Sequence, residues 1–234
     1  MSSLLAELRF AVLQHIRVPS QFFGTPAGGL LAYLVLVFMD VDIGPEWLVY
    51  LAVLGVINVG MFGVANGTAL ERLRGWDRLR KATPIRPWVF VVSRLLLGVI
   101  MAAPLVAALP FVGTATGVQL PWSGWLGLAI ALCFGGALFS AIGLLLVYLV
   151  RPHASQTLLV YGALLLVSPI FLPEGLLPSW VEAAFGALPS KILLTLSLSV
   201  SSQLDGYPSA LLLTIVTVAF TMAAAYFFHE DESA

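Results

Sequence analysis

Six long apolar stretches dominate the sequence, and each is close to the length needed to cross a lipid bilayer as a helix. A spanning helix needs about 20 mainly apolar residues. Backbone polar groups in lipid must be satisfied within the segment, which predicts helices. The stretches are Phe22–Met39, Trp47–Leu70, Trp88–Val112, Gly124–Val150, Ser155–Leu172 and Ser209–Phe228. The sequence therefore predicts an all-α integral membrane protein with six transmembrane helices, in a single domain over residues 1–234.

Charged residues are too few to cover a soluble domain. Lys, Arg, Asp and Glu make up 10% of the 234 residues, whereas soluble domains carry about 25%. Ten of the eleven basic residues fall on one side of the membrane if the six helices alternate in direction. Basic residues concentrate in cytoplasmic loops, so both termini are predicted to be cytoplasmic. Arg94, near the start of the third stretch, is expected to snorkel to that face.

The segment before the first stretch, residues 1–19, has the pattern of an interfacial helix. On a helical wheel its apolar and polar residues lie on opposite sides, with Leu5, Leu8, Val12 and Ile16 against Glu7, Gln14 and Arg17. Such a helix lies in the membrane surface with its apolar face toward the acyl chains. The alternative is an N-terminal extension of the first spanning helix, although Pro19 favours a break there.

The segment before the last stretch, residues 173–208, contains two apolar passages broken at Pro189–Lys191. Neither passage is long enough to cross a bilayer. The pattern predicts a re-entrant pair of short helices on the outer side of the membrane. The alternative is one additional full span, which would place the acidic C-terminus outside.

No group of residues in the sequence predicts catalysis. Cys133 is the single cysteine, and the three histidines are far apart, so neither predicts a metal site. Phosphate-binding loops and nucleophile motifs are absent from the sequence. Few ionisable side chains lie in the spans, which argues against an ion-coupled carrier. We therefore expect a chain that is not an enzyme, holds no metal or cofactor, and does not bind nucleic acid.

The most informative segment is the charged loop between the second and third stretches, Glu71 to Trp88. Leu73, Trp76 and Leu79 recur at three-residue spacing, which indicates a short helix along the membrane surface. One interpretation is a basic loop that only sets the topology. The order of the residues favours a more specific role.

That order resembles the first cytoplasmic loop of type 2 ATP-binding-cassette (ABC) transporter permeases, a family of drug, lipid and polysaccharide exporters. The similar positions are Glu71, Arg72, Gly75, Leu79, Thr83 and Pro84. The chain departs from the family at Trp76, where Thr is frequent, and at Arg94, where Lys is frequent. The N-terminal helix, the six spans and the re-entrant segment are also similar to this family.

The resemblance implies that the chain is half of a translocation pathway in the cytoplasmic membrane of a bacterium or archaeon. It would pair with a second permease, identical or homologous, and with a separate cytoplasmic ATPase that carries ATP and Mg. Residues 71–87 would form a coupling helix seated in a groove of the ATPase, with apolar anchors and arginines as rim charges or salt bridges. The implied coupling residues are Glu71, Arg72, Gly75, Trp76, Arg78, Leu79, Thr83, Pro84 and Arg151.

Polar and small residues within the predicted spans are candidates for the pathway or for helix packing. The pathway candidates are Asn58, Asn66, Gln156 and Ser168, and a close-packing face is predicted at Gly135, Gly136, Ser140 and Gly143. Apolar spans with few charges favour an amphipathic substrate, such as a drug or a lipid-like molecule. Three other functions stay open: an ATP-independent carrier or channel, an intramembrane enzyme such as a lipid transferase, and a non-catalytic assembly factor.

Overall fold

The computed structural model of the protein describes residues 2–17, 24–39, 46–75, 87–150, 152–171, 178–201 and 207–233. Every regular element within these residues is a helix, which confirms the all-α prediction. The elements are α1 (Ser2–Ile16), α2 (Gly24–Phe38), α3 (Glu46–Asn58), a π-helical segment (Val59–Ala65), α4 (Asn66–Leu73), α5 (Pro87–Ala115), α6 (Trp122–Leu149), α7 (Pro152–Phe171), α8 (Ser179–Gly186), α9 (Pro189–Ser201) and α10 (Tyr207–Ser233).

Four helical stretches of the described chain are long and apolar enough to cross a membrane: Glu46–Leu73, Trp88–Ala115, Trp122–Leu149 and Ala210–Phe228. The pair α8 and α9 makes a fifth if it is counted as one span. The first and fifth predicted spans correspond to shorter apolar helices, Gly24–Phe38 and His153–Ser168. The described residues of this membrane protein contain four or five candidate spans, and the count of six stays a prediction.

The described part of the segment before α10 contains two short helices, and their arrangement as a re-entrant pair stays a prediction because a single bent span fits them equally. Helices α8 and α9 are bent by 74° relative to one another, and α9 begins at Pro189. Proline suits the first position of a helix because its missing N–H would have no partner there. Helix α9 packs against α3, α6, α7 and α10, so its backbone lies against protein.

Helix α6 is central and contacts α5, α7, α9, α10 and the π segment. Its small residues let neighbouring backbones approach closely, which confirms the predicted packing face. A Cβ atom added at Gly136 would lie 2.9 Å from the carbonyl oxygen of Gly98, and one added at Gly143 would lie 3.1 Å from that of Gly60. Contacts this short exclude larger residues.

A π-helical segment of seven residues, Val59–Ala65, interrupts the span between α3 and α4. The N–H of Asn66 donates to the carbonyl oxygen of Met61, five residues earlier, which is the π spacing. The sequence does not indicate this π segment, since no proline marks it. Short π segments are rare in proteins, and those that occur are often found at functional sites.

Helix α1 packs on α5, and the buried side chain of His15 connects it to the π segment. The Nδ1 atom of His15 lies 2.8 Å from the carbonyl oxygen of Ala11, and its Nε2 atom lies 3.3 Å from that of Gly63. Leu8 and Val12 pack beside Ala11 on the same side of the helix.

The docking of α1 places residues from both sides of the predicted helical wheel against the protein. Leu5 and Ile16, assigned to one side with Leu8 and Val12, are 62% and 49% exposed. One side-chain oxygen each of Glu7 and Gln14, predicted to lie on the polar outer side, is buried. The packing of α1 on α5 therefore selects an inner face that carries both polar and apolar residues, and the position of α1 in the membrane surface stays a prediction.

The hydroxyl of Ser197, on the buried side of α9, has no hydrogen-bond partner among the described residues. A buried hydroxyl without a partner costs about 1–3 kcal/mol. Ser197→Ala is therefore expected to raise the free energy of unfolding by about 1 kcal/mol, measured by thermal unfolding in detergent. The control is Ser199→Ala, because the Ser199 hydroxyl donates to the carbonyl oxygen of Leu196 at 2.9 Å. Equal losses of stability in both variants would contradict the prediction.

Candidate functional site

A buried ion pair joins the second and third predicted spans where the charged loop begins. Glu71 lies in the last turn of α4, and Arg94 lies two turns into α5. The Nη2 atom of Arg94 donates to the two carboxylate oxygens of Glu71 at 2.8 and 3.1 Å. The side chains are 0% and 4% exposed. The prediction that Arg94 snorkels to the membrane surface is therefore wrong, because Glu71 neutralises its charge inside the protein.

The next residue, Arg72, bonds to the end of α6. Its Nη1 atom donates to the carbonyl oxygen of Val147 and, at 3.2 Å, to that of Val150. Its guanidinium carbon lies 4.6 Å from the centre of the Tyr148 ring. The carbonyl groups in the last turn of a helix lack partners within the helix and carry partial negative charge. Arg72 thus caps the C-terminus of α6.

Three aromatic rings complete this region by joining α5, α6 and α10. Phe90 stacks on Phe228 with centroids 4.7 Å apart, and the Tyr148 ring meets Phe228 edge-on at 5.1 Å. The guanidinium of Arg94 lies 5.1 Å from the centre of the Phe90 ring. The six residues of this arginine–aromatic cluster are Glu71, Arg72, Phe90, Arg94, Tyr148 and Phe228. We call the end of the bundle where the cluster lies the basic end.

The cluster holds only part of the predicted coupling loop. Glu71 and Arg72 are buried within the protein, whereas the resemblance implied that the loop arginines form rim charges or salt bridges with an ATPase. Gly75 has a φ of +77°, a left-handed conformation that glycine adopts easily. The other predicted coupling residues lie outside the described residues, and these are Trp76, Arg78, Leu79, Thr83, Pro84 and Arg151.

Two of the predicted pathway residues lie together in the structure. The Nε2 atom of Gln156, on α7, is 3.4 Å from Oδ1 of Asn66, on α4. Asn58 lies two turns earlier than Asn66 along the same partly exposed stripe. A Cβ atom added at Gly28 of α2 would lie 3.5 Å from Nδ2 of Asn58. We call this surface, formed by Asn58, Asn66 and Gln156, the polar seam.

The exposed face of α7 continues the polar seam. His153, Thr157 and Tyr161 are exposed on it beside Gln156. The fourth pathway candidate, Ser168, does not add a free hydroxyl, because its Oγ donates to the carbonyl oxygen of Leu165 in its own helix at 3.0 Å. Polar groups facing hydrocarbon are costly, so this face favours contact with protein or water over lipid.

An apolar groove of about 240 Å³ lies elsewhere, between α6, α9 and α10. Its lining includes Phe134, Leu196 and Leu213, and the hydroxyl of Thr214 donates within its own helix to Ala210. The groove therefore offers contacts for hydrocarbon and few for a polar ligand. No group of three metal-binding side chains occurs in the part of the chain that the structure describes.

Sequence reasoning missed three members of the arginine–aromatic cluster. Phe90, Tyr148 and Phe228 read as ordinary apolar residues near the ends of predicted spans. Two signals were available, because an arginine inside a span requires a partner, and aromatic residues are enriched at membrane interfaces. Neither signal identifies which aromatic residue meets which arginine.

Comparison with known proteins does not assign the chain. No protein family, curated protein or solved structure matches it. The resemblance to type 2 ABC permeases therefore rests on the order of residues in the charged loop.

Proposed function

We propose that this membrane protein is the permease subunit of an ATP-driven exporter related to the type 2 ABC transporters. It has six spans with both termini cytoplasmic, in the cytoplasmic membrane of a bacterium or archaeon. ATP and Mg bind a separate ATPase that docks on residues 71–87, and a second permease subunit completes the pathway. The observation that carries the proposal is the fixed base of the charged loop, where Glu71 and Arg72 both bond to other helices.

The buried base of the loop favours this role over a loop that only sets topology. Basic residues set topology through their charge near the membrane surface, which requires no buried partner. Taking Glu71 and Arg94 out of water costs free energy that their pairing only partly offsets. A loop that receives force from another protein needs rigid attachment to the helices it moves. The ion pair and the Arg72 cap supply such attachment.

The polar seam is the proposed pathway surface. It lies at the outside of the subunit rather than in an enclosed pore, since Gln156 is exposed and Asn66 is partly exposed. A second permease subunit packed on this surface would enclose the polar groups between two chains. A pathway with amide groups and apolar walls suits an amphipathic substrate, such as a drug or a lipid-like molecule.

Two loop variants are expected to abolish ATPase binding and export while leaving membrane insertion intact. Gly75→Pro removes the N–H that donates to the carbonyl oxygen of Arg72 at 3.0 Å and disallows the positive φ. Trp76→Asp replaces a predicted apolar anchor by a charge. The measurement is co-purification of a soluble ATPase with the tagged chain from native membranes, together with substrate export.

The control is Gly117→Pro, at the opposite end of α5. Gly117 also has a positive φ, of 84°, and its N–H also donates within a turn. Local strain is therefore similar in both proline variants, and only the loop variant should lose the ATPase. Wild-type ATPase binding and export in both loop variants would contradict the proposal. Transport by the purified chain in vesicles without any ATPase would indicate a carrier or channel instead.

A further inference from the structure

We infer that Arg72 is a positioning residue that mechanically joins the two connections at the basic end, the one that leaves α4 at Arg74 and the one that leaves α6 at Val150. A displacement of the first connection then moves the junction between α6 and α7 through the Arg72 guanidinium. The use of this movement in transport rests on the proposed function, whereas the joint itself is a property of this chain alone.

The joint begins at the end of α4, where two successive side chains bond to two different helices. Successive residues in an α-helix are turned by about 100° from one another, so the side chains of Glu71 and Arg72 diverge. Glu71 accepts hydrogen bonds from Arg94 of α5. Arg72 donates to Val147 and Val150 at the end of α6. The last turn of α4 is therefore held to two helices directly before the loop begins.

The other end of the joint is a very short connection. Val150 is extended, with φ −127° and ψ 166°, and α7 begins two residues later at Pro152. Arg72 donates to carbonyl oxygens on both sides of the end of α6. Val147 is still in the helix, and Val150 follows it in an extended conformation. These two bonds set the direction in which α7 leaves α6. Gln156 of the polar seam lies about one turn beyond Pro152.

Arginine suits this position better than lysine. Its planar guanidinium can donate two hydrogen bonds in fixed directions while it packs on an aromatic face. Arg72 does both, with two carbonyl acceptors and the Tyr148 ring at 4.6 Å. A lysine ammonium keeps the positive charge near the end of α6, but it lacks the planar fork that fixes both bonds. Arg72→Lys is therefore expected to preserve the joint only in part.

Amide hydrogen exchange of the full-length protein in lipid nanodiscs tests the joint. Arg72→Gln is expected to speed exchange about tenfold or more in the last turn of α6 and the second turn of α7, because the charged hydrogen bonds to Val147 and Val150 that hold this junction are lost. Arg72→Lys should fall between Arg72→Gln and the wild type. The control is Arg74→Gln, at an exposed arginine two residues further on, which should leave this exchange unchanged.

A double-variant measurement separates a mechanical link from a merely stabilising contact. Gly75→Pro perturbs the first connection, and in the wild-type background it is expected to speed exchange in the second turn of α7. In the Arg72→Gln background it should add no further change there, because the link is already broken. If Arg72→Gln does not fold, Arg72→Lys takes its place, and Gly75→Pro should then have a reduced effect.

Two results would overturn the inference. The first is wild-type exchange at the junction between α6 and α7 in Arg72→Gln. The second is an equal effect of Gly75→Pro on α7 in both backgrounds. Neither measurement needs an ATPase, so the failure to find a partner ATPase would count against the proposed function and not against the joint.

Discussion

Replacement of Arg94 by methionine is expected to lower the free energy of unfolding by roughly 3–5 kcal/mol, because it removes the guanidinium that neutralises the buried carboxylate of Glu71. Both side chains are buried, and Nη2 of Arg94 lies 2.8 and 3.1 Å from the carboxylate oxygens of Glu71. The methionine fills much of the volume of the arginine stem, so the loss is mainly electrostatic. Thermal unfolding in a single detergent measures it.

The double variant Glu71→Leu, Arg94→Met is expected to recover most of this loss. Apolar residues of similar volume often replace a buried ion pair at no cost, since no charge then needs a partner. The pair in this protein is also incompletely satisfied, because Nε and Nη1 of Arg94 have no hydrogen-bond partner among the described residues. A double-mutant cycle over the four proteins gives the coupling between the two positions.

The control for this cycle is Arg74→Met, at an exposed arginine three residues after Glu71, and no change in stability is expected there. A double variant as unstable as Arg94→Met would contradict the electrostatic explanation. The loss would then arise from packing, including the contact between Arg94 and the Phe90 ring at 5.1 Å.

A buried pair that apolar residues can replace is retained in some proteins because it selects one arrangement of the helices. Apolar side chains on α4 and α5 would pack in several registers with similar energy, whereas Glu71 and Arg94 meet in only one. That register also fixes the direction in which Arg72 reaches α6. The ion pair thus acts on the position of the loop more than on the net stability of the bundle.

The parts of the fold that depend on local composition could be predicted from the sequence. Apolar length locates the helices, Pro189 marks the bend between α8 and α9, and the small residues of α6 mark its packing face. Each of these follows from residues within one or two turns of each other. The number of spans is less accessible, because the described helix in the first predicted stretch, Gly24–Phe38, is shorter than a typical span.

The parts that depend on contacts between distant residues could not be predicted. Glu71 and Arg94 are 23 positions apart, and Arg72 and Val147 are 75 apart. Arg94 lies near the start of its apolar stretch, which favoured snorkelling of its guanidinium to water. The guanidinium instead bonds to the Glu71 carboxylate, which lies within hydrogen-bond reach. The roles of Trp76 and Leu79 stay predictions, because both lie outside the described residues.

Replacement of Gly60 by alanine is expected to cost about 3 kcal/mol or more, at the upper end of the range for overpacked cores. Gly60 lies in the π segment against the centre of α6. A Cβ atom there would lie 2.4 Å from the carbonyl carbon of Phe139 and 2.7 Å from the backbone nitrogen of Ser140. Backbone atoms of a buried helix cannot rotate away as a side chain can, so the two helices must separate.

Two control variants distinguish this backbone conflict from the general effect of alanine on a glycine position. Gly186→Ala, in open space at the end of α8, should be neutral or slightly stabilising. Gly127→Ala on α6 conflicts within 3 Å only with one methyl group, Cγ1 of Val200, and a side-chain rotation can relieve it. We therefore expect a smaller loss for Gly127→Ala, and a double variant with Val200→Ala should remove that conflict.

Thermal unfolding of the three single variants in the same detergent provides the comparison. The expected order of stability is Gly186→Ala, then Gly127→Ala, then Gly60→Ala. A Gly60→Ala variant as stable as the wild type would mean that the π segment can move away from α6 without loss. In that case the contact between the second predicted span and α6 would not be rigid, and movement of the charged loop could not be transmitted through this pair of helices.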